Sequence, residues 1–256
     1  MELVILMFFA FIAGFIDAVV GGGGLIQLPA FFLAYPALPA PVIFGSNKFA
    51  GFAGTTVAAV RYIRTTSVPW KAVWPAIVTA LVFAVVGARL VSLFDKELMK
   101  PVVLGLLIAV AIYTFLKKDF GISKKKALDP VTLTVASFSA GALLGLYDGF
   151  FGPGTGSFLI VIYVSVFGFD FLNASVSAKL INCATNLAAL AWFAWSGQIR
   201  YDLAIPAAVC NMGGAYLGAR MAVAKGSKFI RVLFLVVVSG MILKFGWDVL
   251  YPYFSS

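Results

Sequence analysis

The sequence predicts an all-α fold: a polytopic membrane helix bundle made of two inverted repeats, with broken or re-entrant helices after glycine-rich clusters. Three observations carry that expectation. Hydrophobic residues make up 62% of the 256-residue chain and charged residues 11%, with a mean hydropathy of +1.03; soluble domains carry about 25% charge. The apolar residues fall into runs long enough to be helices. The charges inside those runs repeat: Asp17, Lys48 and Arg89 recur as Asp148, Lys179 and Arg220 at a single offset of 131 (148−17, 179−48 and 220−89). Gly14/Gly145, Gly21/Gly152, Gly23/Gly154, Ser46/Ser177, Pro75/Pro206 and Gly87/Gly218 share that offset.

In chain order the runs are 3–20, 25–38, 43–62, 72–93 and 101–116, then 131–147, 157–169, 174–196, 203–222 and 229–250. A spanning helix needs about 20 apolar residues, so 25–38 and 157–169 are too short for ordinary spans. Each directly follows a glycine cluster, Gly21-Gly22-Gly23-Gly24 or Gly152-Pro153-Gly154-Thr155-Gly156. Backbone breaks survive at membrane depth only when buried in protein or lining a wet cavity. Short, glycine-interrupted segments at matching positions in two halves point to a transport site. The expected organisation is a first repeat at 1–116, a basic linker at 117–130 and a second repeat at 131–256.

Basic loop residues give the expected orientation. If each broken pair is a hairpin, three full spans remain per half and the halves are inverted. Eleven basic residues, among them Arg61, Lys71, Lys117, Lys124 and Arg231, then share one side, against Lys96, Lys100 and Arg200 on the other. A parallel arrangement would split the same residues nine to five. Positive-inside favours inversion, with the basic linker cytoplasmic. The start, Met1-Glu2-Leu3, lacks the basic region and cleavage site of a removed signal, so the first run is expected to be retained.

Several function classes are disfavoured. The net charge of +9 sits in short loops and reads as topology, so nucleic acid is not an expected partner. Histidine is absent and the two cysteines, Cys183 and Cys210, lie in apolar runs without zinc spacing. No metal site, cofactor or enzymatic constellation is expected. The Gly21–Gly24 cluster lacks the Lys-Ser/Thr of a P-loop, so nucleotide-driven transport is not expected either.

What remains are the intramembrane polar groups. Lys48 follows Ser46 and Asn47, and Lys179 follows Ser177, each near the start of an apolar run. Lysine, serine hydroxyls and free N–H groups could jointly hold an anion, or each lysine could snorkel to the interface. The glycine clusters, through Gly22, Gly23, Gly154 and Thr155, could form anion-binding backbone nests or serve close helix packing. Asp17 and Asp148 could pair with a basic residue, cap a half-helix or carry a coupling proton. Arg89 and Arg220 read as anchors. Asn182 and Asn186 lie on the face of Lys179, where the first half has Gly51 and Thr55, so the expected site is asymmetric.

The stretches Gly14-Phe15-Ile16-Asp17 through Gly24, Gly45-Ser46-Asn47-Lys48, Tyr147-Asp148-Gly149-Phe150-Phe151-Gly152-Pro153-Gly154-Thr155-Gly156 and Ala178-Lys179-Leu180-Ile181-Asn182 resemble the TauE/SafE family of membrane permeases over almost the whole chain. Ser46 stands where that family usually has threonine. The resemblance implies a multi-pass transporter of the bacterial inner membrane whose substrate is a small sulfur-containing anion such as sulfite or an organosulfonate. Membrane lipid is the expected surroundings; with no ATP-binding motif, transport is expected to be downhill or coupled to an ion gradient, H+ or Na+, and monomer and homodimer both stay open. The rival readings are an anion channel and a structural or assembly membrane protein without transport.

Overall fold

The computed structural model describes residues 1–90 and 128–254, and all regular structure among them is helical. The helices are α1 (Glu2–Val20), α2 (Gly24–Ala34), α3 (Ala40–Thr65), α4 (Trp70–Leu90), α5 (Pro130–Phe150), α6 (Thr155–Ser165), α7 (Phe171–Trp195) and α8 (Tyr201–Phe254). The last is interrupted at Gly226, where φ is 68° and ψ is −165°. The run 101–116 and most of the 117–130 linker, including its lysines, lie outside the described residues.

The duplication seen in the sequence is carried into the helix boundaries. Gly24 and Thr155, Ala40 and Phe171, and Trp70 and Tyr201 open matching helices, each pair 131 apart. Among the described residues three helices are long and apolar enough to cross a bilayer: Glu2–Val20, Trp70–Leu90 and Pro130–Phe150. Helices α2 and α6 have 11 residues each. At 1.5 Å per residue they reach about 16 Å, roughly half a hydrocarbon core. They are half-length helices entered through glycine breaks, as the short apolar runs predicted.

The breaks follow from local chemistry. Helix α1 ends with Gly21 at φ 74°, whose N–H donates to the Asp17 carbonyl, a left-handed cap that suits glycine. In the second half Gly152 and Gly154 hold φ 88° and 87°. The Tyr147 hydroxyl donates to the Pro153 carbonyl at 2.7 Å and holds this turn against α5. The two breaks touch: the Ser157 hydroxyl donates to the Val20 carbonyl at 2.8 Å, and Ser175 does the same to Val19 at 2.8 Å.

The halves interlock instead of standing side by side. Helix α1 packs chiefly on α8, and α5 packs chiefly on α4, so the first helix of each half lies on the fourth of the other. Small residues permit the close approach. Gly141, Gly145 and Gly149 of α5 lie on the backbone of Ala76, Ala80 and Ala84, while Gly14 and Gly218 do the equivalent work between α1 and α8. A Cβ at Gly149 would fall on the Ala84 carbonyl oxygen. Gly149→Leu is therefore expected to cost about 1–3 kcal/mol or more, read as a lower melting temperature in detergent. Gly240→Ala, where no atom of the described residues lies within 4 Å, should not lower it.

The polarity is inside out. Val4, Phe8, Trp74, Val82, Leu143, Val209 and Val236 are exposed. Gln27, Lys48, Asp148, Lys179, Asn182, Asn186 and Asn211 are buried. An apolar outer surface facing lipid and a polar interior is what a bilayer solvent selects.

Candidate functional site

Helices α3 and α7 pack on each other, and each carries a lysine to a carboxylate beside the glycine breaks. Asp17 and Asp148 sit in the last turns of α1 and α5. A carboxylate at a helix C-terminus adds to the negative end of the dipole, so each needs a cation. The cation comes from the other half in both cases. Lys48 Nζ lies 2.9 Å from Asp148 Oδ2, and Lys179 Nζ lies 2.5 Å from Asp17 Oδ2. These pairs are equivalent under the internal repeat and run crosswise between the halves.

Each pair carries a third polar group at another repeat-related position. Asn186 Oδ1 accepts from Lys48 Nζ at 3.0 Å, and its counterpart Thr55 donates to Asp17 Oδ2 at 3.4 Å. Asn186 Nδ2 is 3.4 Å from Asn182 Oδ1, so the second half extends the network further. The side chains of Lys48 and Asp148 are 7% and 2% exposed, while Lys179 and Asp17 are at 2% and 17%. Asp17 is thus the most open of the four.

Beside the pairs is a cavity of about 50 Å³. Its lining includes Asp17, Asp148, Asn47, Lys48, Asn182, Asn186, Gly23, Gly24, Gly154 and Gly156. Such a space takes a few waters or one small ion. Gly152 is required twice at its rim: its φ is 88°, and a Cβ there would stand 3.1 Å from Lys48 Nζ. The N-termini of α2 and α6 open onto this cavity from the glycine breaks, where backbone N–H groups and helix dipoles favour negative charge. A larger space of about 440 Å³ beside Trp70, Leu128 and Phe167 is mostly apolar, with Lys71 its charged lining residue.

Several expectations change on contact with these positions. The lysines are not at helix starts: Lys48 and Lys179 are each the ninth residue of helices beginning at Ala40 and Phe171. They stand about 12 Å from those N-termini, so the N–H groups near them belong to α2 and α6. Ser46 donates to the Val42 carbonyl at 2.7 Å and accepts from the Arg200 N–H at 2.9 Å. Ser177 donates to the Asn173 carbonyl at 2.8 Å, and Thr155 to the Gly152 carbonyl at 2.7 Å. These three hydroxyls, with Gly22 and Lys179, are not among the cavity-lining residues. Arg89 is exposed, its guanidinium 4.9 Å from the Trp192 ring centroid, and Arg220 is exposed on α8.

Two residues were missed from sequence. Gln27 of α2 and Asn211 of α8 are 2% and 3% exposed, and both line the cavity. Asn211 Nδ2 donates to Gln27 Oε1 at 2.6 Å. Amides in apolar runs were the available signal. Neither amide recurs in the repeat, because the counterparts, Phe158 and Ala80, are apolar.

Comparison with known proteins places the chain among membrane transporters. Residues 6–245 match the family described as sulfite exporter TauE/SafE. The chain is 34% identical to a probable membrane transporter protein, ORF9, of Sinorhizobium sp., over 95% of this chain and 92% of the relative. It is 31% identical to a probable membrane transporter protein of Haemophilus influenzae, covering 96% and 95%. It is 32% identical to the probable membrane transporter protein YfcA of Escherichia coli K12, covering 95% and 89%. No solved structure matches. The chain is a multi-pass membrane transporter of the bacterial inner membrane and belongs to the sulfite exporter TauE/SafE family.

Proposed function

We propose that the protein moves a small oxyanion, sulfite or an organosulfonate, by alternating access of two inverted halves around the central cavity. One observation carries this reading: two buried lysines held by two carboxylates, each pair crossing between the halves beside a polar cavity of about 50 Å³. Buried intramembrane charges of this kind mark substrate or ion pathways.

The charge count supplies the mechanism. Two lysines and two aspartates balance, so an arriving anion reaches Lys48 only by competing with Asp148 or sharing the lysine with it. Loosening Lys48 from Asp148 loosens a tie between the halves, which links ligand arrival to rocking. The anion also leaves the site with one uncompensated negative charge, which is costly in a low-dielectric interior. A cation entering with it, H+ or Na+, removes that cost. Asn47, Asn182, Asn186 and the α2 and α6 N-termini supply neutral donors to the anion's oxygens. Transport is then driven by the ligand or ion gradient.

Flux into proteoliposomes of the purified chain tests this. Uptake of sulfite or methanesulfonate is expected to saturate and to respond to an imposed H+ or Na+ gradient. No uptake of any oxyanion, or single-channel currents far above transporter turnover, would overturn the alternating-access reading.

A further inference from the structure

The central charges obey the internal repeat, but a neighbouring set of residues does not, and the difference is built with some precision. Asn211 is wedged between α1 and α3. Its Oδ1 fills the place that a Gly54 side chain would take, and its backbone carbonyl lies where a Gly14 Cβ would fall. So placed, Asn211 Nδ2 donates to Gln27 Oε1 at 2.6 Å. That contact satisfies the acceptor of the Gln27 amide and fixes its orientation. The donor, Gln27 Nε2, is buried and has no hydrogen-bond partner among the described residues. Gln27 is 2% exposed and lines the cavity with Lys48, Asn182 and Asn186.

A buried amide N–H without a partner is destabilising, and proteins seldom retain one. Here two glycines and an asparagine are spent on holding it in place. At the repeat-related positions the device is missing. Phe158 replaces Gln27, with its ring 5.5 Å from that of Tyr147. Ala80 replaces Asn211 and Thr185 replaces Gly54. At this position the first half therefore presents an amide to the cavity where the second half has an aromatic ring. Gly51, whose counterpart is Asn182, has open space where a side chain would be, which adds room on the same side.

We infer that Gln27, oriented by Asn211, is a specificity-determining donor that hydrogen-bonds an oxygen of a bound oxyanion, and that the oxyanion sits off the pseudo-twofold axis, one per protein. This deepens the anion-site reading above and rests on it. The charge comes from Lys48 on α3, and Gln27 adds a neutral donor from α2. An anion with several oxygens, such as sulfite or a sulfonate, can meet both while it also accepts from Asn186 or Asn182.

The test is titration calorimetry and thermal unfolding of the full-length chain in detergent, with sodium sulfite and sodium methanesulfonate as probes. Wild type is expected to bind with a stoichiometry of one. Gln27→Leu should weaken binding of both probes by about tenfold or more. The double variant Gln27→Leu/Asn211→Leu should leave the ligand-free melting temperature unchanged or raised, because both amides are then replaced by apolar groups of similar size, whereas Gln27→Leu alone strands the Asn211 Nδ2 donor. Asn211→Leu should weaken binding in the same direction. Unchanged affinity in Gln27→Leu, a stoichiometry of two, or a lower ligand-free melting temperature of the double variant overturns the inference. Lys48→Met separates the two claims. If it abolishes binding while Gln27→Leu does not weaken it, the anion site stands and the role of Gln27 falls. If wild type binds neither probe, both fall.

Discussion

Lys48→Met is expected to abolish oxyanion flux and to destabilise the protein, whereas Lys48→Met combined with Asp148→Asn recovers the stability without the flux. The lysine stands 2.9 Å from Asp148, whose side chain is 2% exposed. Removing it leaves a buried carboxylate at a helix C-terminus with no counter-charge, which costs about 3–5 kcal/mol. Neutralising both partners removes both desolvation penalties, and such exchanges are often close to neutral in stability. The ligand site, however, still lacks its cation. Proteoliposome flux and melting temperature, measured together on the single and double variants, separate the two effects. Wild-type flux from the double variant would end the assignment of Lys48 to the substrate. The repeat-related exchange, Lys179→Met, should destabilise less, because Asp17 retains 17% exposure and water screens it in part.

Gly21→Ala should be far more damaging than Gly24→Ala, although the two residues belong to one cluster. Gly21 has φ 74°, where a side chain costs about 1–2 kcal/mol. Its Cβ would also run into the backbone of Gly156 and stand 2.7 Å from the Ser157 nitrogen. That clash is with backbone and cannot be relieved by a rotamer, so overpacking adds about 1–3 kcal/mol. The two breaks would part, and the Ser157 bond to Val20 would be lost with them. Gly24 begins α2, and its nearest would-be neighbour, the Pro153 Cα, is 3.5 Å away. Alanine there makes ordinary contact in a helix. Thermal unfolding in detergent reads the difference; equal losses for both would sink the account of the touching breaks.

The legibility of the site varied by residue. The glycine breaks were visible because short apolar runs and clustered glycines are local features. The depth of Lys48 was not, because hydropathy marks where a run becomes apolar and not where the helix begins. Helix α3 starts at Ala40 after Pro39, and α7 starts at Phe171 behind the Asp170 cap, earlier than the apolar runs do. Ser46 and Ser177, two residues before the lysines, looked like ligand donors, yet each hydroxyl turns back to its own helix, an option open to any mid-helix serine. Gln27 and Asn211 lie 184 residues apart, and nothing local connects them.

The sequence by itself determined the membrane class, the duplication at 131 residues, the half-length helices and the identity of the charged groups, because hydropathy, glycine breaks and repeats are properties of the linear chain. Only the tertiary structure decided that Lys48 belongs to Asp148 and Lys179 to Asp17. That choice depends on α1 lying on α8 and α5 on α4, close approaches made by glycine and alanine faces that carry no label for their partners. The physical reason is that a charge seeks the nearest opposite charge in space, and in an interlocked pair of repeats that neighbour comes from the other half of the chain.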